Sequence, residues 1–332
     1  MARRATGKLI IGIDLGGTKI LAGVVGKGGH LLGQSKRPTK PEIGPEGVID
    51  RIAKTVREAV AAAGLSLSDI AAAGAGAPGP LDPDEGVILN TPNLAGWKDV
   101  PLAAMLGQRL GLPVFVGNDV DLGTLGEHAF GAGKGVRDLV GIFVGTGIGG
   151  GLILDGSLRL GWRRTAGEIG HMILLAEGPV CGCGNRGCAE AVASRTAIER
   201  DIMAGIESGQ ASLVTEILKR DQRERLTSGV LAEAFAARDP LVVGVIGRAQ
   251  FYLGLLAASV VNLIDPEMII FGGGVVEAFG DEFVAPIRQV AYENSINKTG
   301  EVKIVPARLG DSATLLGASV LARRKVNRRS RK

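Results

Sequence analysis

One device occurs twice in this chain, and it constrains the fold more than any other feature. KLIIGIDLGGTKILAGVVG (8–26) and LVGIFVGTGIGGGLILDG (139–156) each pass from an apolar, β-branched run through a glycine-rich turn into a second apolar run. Each reads as strand, tight loop, strand. The repetition at the heads of the two halves marks an internal duplication. Glycine, at 52 of 332 residues, falls in short clusters between apolar runs. Each cluster marks a place where the backbone turns sharply or approaches a ligand closely.

Between and after the two devices, strands and helices alternate. GVIDRIAKTVREAVAAAG (47–64) places Val48, Ile49, Ile52, Val56, Ala59 and Val60 on one helical face, with Gly64 as its stop. A short helix is expected at 101–111 and a strand at 112–119. Helices follow around 189–206, 211–222 and 239–263. A strand at 267–274, a helix near 281–293, a strand at VKIVPA and a last helix near 312–324 complete the pattern. This alternation predicts an α/β fold with helices on both faces of mixed sheets. The expected division is an N-terminal α/β domain of 1–120 plus about 312–326, a C-terminal α/β domain of 121–311, and a disordered basic tail of 327–332.

Charge and composition exclude several classes. The net charge of +4 is concentrated in RRKVNRRSRK, whose seven basic groups leave 31 basic against 34 acidic residues in the body. No aromatic residues interleave with that tail for stacking on bases, so nucleic acid is not an expected partner. LGLLAASVVNLI (253–264) is too short to span a bilayer, and no secretory pattern opens the chain. Three cysteines without an export signal point to the reducing cytoplasm, with no membrane partner.

Both glycine turns suit phosphate, because successive N–H groups in such a turn form an anion-binding concavity. Two plain hairpin turns are the other reading. GTGIGG formally matches a dinucleotide motif, but the residues after it read as strand rather than helix, and no Walker A sequence exists. The third cluster, FGGGV (271–275), ends another apolar strand and reads equally as helix packing. LPVFVGNDVD ends a strand on Asn118 and Asp119. Asp119 suits either a helix cap or a general base.

All three cysteines lie in CGCGNRGC, and His171 stands ten residues before Cys181. Cys3His is a closed zinc set, so a structural Zn²⁺ is expected; redox chemistry and chance are the alternatives. Ligation through one imidazole nitrogen leaves the other free for a ligand. Glu168 and Glu190 bracket the cluster and would suit a polyhydroxylated ligand, or are simply surface residues.

A paired strand–loop–strand phosphate site resembles the superfamily of sugar kinases, Hsp70 and actin. DLGGTK, GAPGPLD, NTPNLAGW, GNDVD, GTGIGGG, GEIGH, CGCGNRGCAE and NLIDPEMIIFGGG, in this order over residues 9–324, resemble the ROK family, most of all its bacterial ATP-dependent glucokinases. The resemblance implies two duplicated ribonuclease H-like domains of the actin/hexokinase/Hsp70 type around an interdomain cleft. It implies phosphorylation of a hexose at the 6-hydroxyl, glucose first, with N-acetylmannosamine, N-acetylglucosamine or fructose as alternatives and a sugar-sensing regulator as a further one. It assigns Asp14, Gly16, Gly17, Thr18 and Lys19 to the first phosphate loop, with Asp14 near Mg²⁺. Gly145, Thr146 and Gly147 form the second loop, near the γ-phosphate, and Gly272 and Gly273 border adenosine. Gly79, Asn93, Asn118, Asp119, Glu168, His171 and Glu190 bind sugar, Asp119 being the catalytic base. His171, Cys181, Cys183 and Cys188 hold zinc. The implied cofactors are ATP with Mg²⁺ and structural Zn²⁺. The implied assembly is a homo-oligomer, dimer or tetramer.

Overall fold

The two halves of the chain build the same sheet. The computed structural model describes residues 9–91, 94, 96–223, 225–296, 298 and 300–329. In the first half, β1 (Leu9–Leu15), β2 (Lys19–Val25), β3 (Leu31–Pro38), β4 (Ile70–Ala77) and β8 (Val114–Asn118) lie in the order β3-β2-β1-β4-β8. β2 runs antiparallel to both β1 and β3, and β4 and β8 run parallel to β1. In the second half, β9 (Leu139–Val144), β10 (Ile148–Leu154), β11 (Ser157–Leu158), β12 (Met268–Gly272) and β13 (Lys303–Pro306) lie in the order β11-β10-β9-β12-β13. Here too a hairpin opens the sheet and two parallel strands follow. A small sheet of β5 (Leu81–Asp82), β6 (Val87–Asn90) and β7 (Lys98–Val100) is added in the first half.

Among the described residues, eleven helices cover these sheets: α1 (Gly44–Ala62), α2 (Leu102–Leu110), α3 (Asp119–Phe130), α4 (Ala189–Ala193), α5 (Arg195–Glu207), α6 (Leu213–Arg220), α7 (Ser228–Ala236), α8 (Pro240–Ile264), α9 (Gly274–Phe279), α10 (Asp281–Asn294) and α11 (Ala313–Arg329). The stripe read from the sequence is the buried face of α1, and Gly64 ends it at φ +67°. The single helix expected at 189–206 is broken at Ser194, whose hydroxyl caps α5 by accepting from Ala197 N. The apolar stretch 253–264 is the second half of α8, a 25-residue helix whose inner face, from Val242 to Val261, belongs to the core. Its length and apolarity therefore reflect burial within the protein.

The chain divides into two compact units, one of residues 1–135, 157–166 and 311–332, the other of 136–156 and 167–310. The first unit takes in α3, which packs on α11. α11 reaches this sheet across glycines. A methyl group added to Gly12 on β1 would lie 2.0 Å from the Leu315 carbonyl oxygen, and one on Gly74 of β4 would lie 1.9 Å from that of Ala318. Residues 327–329, expected in a disordered tail, are helical instead. Ala322 and Val326 continue the apolar stripe of α11 against Ile10 and Ala72, and the helix runs through Arg329. Residues 330–332 lie outside the described residues.

Candidate active site

In the first unit the site is built where β1, β4 and β8 end. Asp14 closes β1 opposite Gly76 of β4, and Gly76 pairs on its far side with Gly117 of β8. Asn118 and Asp119 follow at once. Asn118 is the N-cap of α3: its Oδ1 accepts from Val120 N at 2.9 Å and Asp121 N at 3.1 Å. Asp119 is therefore the first residue of the helix rather than its cap, with Oδ1 3.0 Å from Val120 N. Thr314 of α11 donates to the Asp119 carbonyl at 3.1 Å. Gly79 faces the other end of the Asn118 side chain: a methyl added there would lie 3.4 Å from Nδ2. Asn93 lies outside the described residues.

Asp14 is pushed up from 3.8 to about 7. Burial is the main cause; the negative charge of Asp119 adds to it, Lys19 opposes it and Asp311 adds a little. Two carboxyl groups thus share one electrostatic neighbourhood. The turn from β1 to β2 is closed by Gly16 N donating to Lys19 O at 3.0 Å, and Thr39 Oγ1 donates to Gly16 O at 2.6 Å. Thr18 stands exposed at the tip. Lys19 does not point alone into solvent: its ammonium donates to Asp311, which Lys36 also approaches at 3.5 Å. That pairing holds the Asp311 carboxyl below the usual range. No local sequence signal announces a contact between residues 292 positions apart.

In the second unit the corresponding turn is Gly145–Gly147, closed by Gly145 N donating to Gly147 O at 2.9 Å. Glu190, expected in the sugar set, reaches under this turn: its Oε2 accepts from Ile148 N at 3.0 Å. A methyl on Gly147 would lie 2.2 Å from that oxygen. Gly272 and Gly273 are explained by packing, since a side chain at either would strike Phe143 or the Val144 backbone, and Gly273 has φ +89°.

The four residues of the expected Cys3His set lie together. One atom each from His171, Cys181, Cys183 and Cys188 lies within 4.8 Å of all the others. Tetrahedral zinc, with bonds of about 2.0–2.3 Å, sets its ligand atoms about 3.4–3.8 Å apart. The Cys181 Sγ–His171 Nδ1 distance is 3.6 Å and the Cys183 Sγ–Cys188 Sγ distance 3.7 Å. The donor set and its spacing therefore fit such an ion. Burial pushes the Cys188 thiol up to about 12 and raises that of Cys181, while the Asn185 N–H lowers that of Cys183. The bridge between Ile173 and Cys188 lays the His171 segment beside the loop. Gly184 and Gly187 bend the loop at φ +93° and +69°; Gly182 needs no such freedom. The other imidazole nitrogen, Nε2, is 3.9 Å from Glu168 Oε2, and that carboxylate is exposed. Glu190 Oε1 lies 3.7 Å from Cys181 Sγ, so this one carboxylate joins the cluster to the glycine turn.

The ROK family profile matches residues 10–325. The chain belongs to the ROK family. Its sheets have the ribonuclease H-like topology of the actin/hexokinase type. A glucokinase of Thermotoga maritima is 35% identical over 321 residues, covering 96% of this chain and 98% of that protein. The crystal structure of a ROK family glucokinase from Streptomyces griseus in complex with glucose and AMPPNP aligns with TM-score 0.81 at 35% identity, covering 95% of this chain and 99% of the other. A putative xylose repressor of Caldicellulosiruptor is 32% identical over 93% of this chain and 76% of its own length. The family thus joins enzymes and regulators, and the residues around Asp119 bear on which of the two this member is.

Proposed function

We propose that this ROK family member is a sugar kinase that transfers the γ-phosphoryl group of ATP to the 6-hydroxyl of a hexose, glucose first. The observation that carries this reading is the state of Asp119. Asn118 takes over the capping of α3, which leaves the Asp119 carboxylate at the mouth of β1 and β8 beside Asp14. A carboxylate so placed suits a group that takes the proton of an attacking hydroxyl. The 35% identity to glucokinases over nearly the whole chain supports the same reading.

In phosphoryl transfer the protein mainly positions groups and stabilises charge. Asp119 accepts the proton of the attacking hydroxyl. In the first unit Thr18 and the N–H groups of Gly16–Thr18 serve phosphate oxygens, and in the second the N–H groups of Gly145–Gly147 do so. Asp14 stands where a Mg²⁺ accompanying ATP would be held, and such an ion supplies charge neutralisation. Gly272 and Gly273 border the adenosine. Asn118 and Gly79 in the first unit, and Glu168, His171 and Glu190 in the second, are the proposed sugar residues; Asn93, given the same role, lies outside the described residues. His171, Cys181, Cys183 and Cys188 hold a structural zinc, which supplies fixed geometry and no reaction step. Three thiol ligands suit a reducing, cytoplasmic setting.

A coupled assay of ADP release with glucose, mannose, fructose, N-acetylglucosamine and N-acetylmannosamine tests this. Turnover that requires one of these sugars supports it. ATP hydrolysis indifferent to all of them, or sugar binding without turnover, overturns it.

A further inference from the structure

α5 opens with a cation at the end of a helix that disfavours one. Arg195 is its first residue, where the helix dipole is positive. Its side chain is only 25% exposed and is partnered one turn on by Glu199, at 3.2 Å. Such a placement calls for a reason, and the contacts of Arg195 supply it. Its main-chain N–H donates to Gly145 O at 2.9 Å, and its Nη2 donates to Thr146 Oγ1 at 3.1 Å. The next residue, Thr196, donates through Oγ1 to Thr146 O at 2.8 Å.

These bonds share one polarity. The carbonyls of Gly145 and Thr146 and the hydroxyl oxygen of Thr146 all act as acceptors toward the first two residues of α5. A hydroxyl that accepts from a guanidinium turns its own proton elsewhere, and the neighbouring charge makes that proton a stronger donor. Thr146 is itself exposed. The turn is therefore engaged through its acceptors and offers donors outward, beside a positive charge and a helix N-terminus. That is the electrostatic character an anion selects.

We propose that Arg195 is a positioning residue for phosphoryl transfer, holding Thr146 so that its hydroxyl donates to the terminal phosphate of the nucleotide. This rests on the reading above that Gly145–Gly147 seats that phosphate. The Arg195 side chain is held by Glu199 and Thr146, so its effect on the phosphate passes through the Thr146 hydroxyl.

The test pairs steady-state kinetics with nucleotide binding by calorimetry, on wild type, Arg195→Ala, Thr146→Ala, Thr146→Ser and the double variant R195A/T146A. Losing a charge-assisted hydrogen bond lowers kcat in R195A by about 10- to 100-fold, with hexose KM within about twofold. Affinity for AMPPNP falls by about tenfold or more while that for ADP stays within about twofold. T146S, which retains the hydroxyl, loses less activity than T146A. R195A/T146A is no worse than T146A within about twofold, because the two residues act in series. Millimolar guanidinium restores turnover to R195A and not to T146A. Additive losses in the double variant overturn the proposal. So does equal weakening of ADP and AMPPNP together with a lowered melting temperature, which would mark a merely structural clamp. The binding arm stands apart from the kinase reading. A wild type that binds both nucleotides without sugar-dependent turnover sinks that reading, while a selective loss of AMPPNP in R195A still supports the placement of Arg195.

Discussion

Replacing Asp14 with asparagine should stabilise the protein at alkaline pH and abolish its turnover. The Asp14 carboxyl titrates at 3.8 when unfolded and near 7 in the folded chain, chiefly through burial and then through Asp119. Between those values the folded state binds more protons than the unfolded one, so stability falls as pH rises from about 4 to about 7 and is flat above. Full ionisation costs about 4 kcal/mol, more than half of which accrues between about pH 5 and about pH 8. The asparagine side chain cannot ionise, so the variant lacks this descent. For a unit of this size, about 1 kcal/mol moves the melting temperature by about 2–4 °C. The Asp14→Asn variant should therefore gain about 5–10 °C relative to wild type on going from pH 5 to pH 8. Differential scanning calorimetry of nucleotide-free protein at several pH values reads this directly. MgATP, by placing positive charge near Asp14, should narrow the gap. Parallel pH profiles for the two proteins would refute the reasoning, since the carboxyl would then carry no cost of ionisation.

Three further outcomes follow from the site. Asp119→Asn should lower kcat by about 10³-fold or more, while calorimetric hexose affinity stays within about threefold; an active variant would move the base elsewhere. Elemental analysis of tag-free protein should find about one zinc per chain, lost in Cys188→Ser together with thermal stability; a wild type free of zinc yet fully folded contradicts the Cys3His assignment. Gly74→Ala should cost about 1–3 kcal/mol, because its methyl meets the Ala318 carbonyl. Because Thr314 holds the Asp119 main chain, the same change should also lower kcat, as a thermal melt and an activity assay on one preparation will show.

The sequence was most legible where local pattern and fold agree. The two glycine hairpins, the stripe of α1 and the grouping of His171 with the three cysteines are present in the structure, each set by neighbours within a few tens of residues. What escaped was set at longer range or by weak periodicity. β3, at the sheet edge, alternates between partly and fully exposed positions and offers no apolar run. α7 and α9 are short and follow polar or glycine-rich turns. Whether Asp119 caps α3 was open in the sequence, because Asn118 and Asp119 are both good caps; only the observed bonds of Asn118 decide it. The roles of Glu190, Arg195 and Asp311 depend on partners 42, 49 and 292 positions away.

The glycine seam under α11 also fixes an order of events in time. Residues 311–329 are synthesised after the whole of the second unit, about 10–35 s after residue 135 at ordinary elongation rates. Until then Gly12 and Gly74 have no helix to receive, and Thr314 is not there to hold Asp119. The half of the protein that is made first is therefore finished last. The Thr314 contact that holds its proposed catalytic base can form only once α11 has left the ribosome.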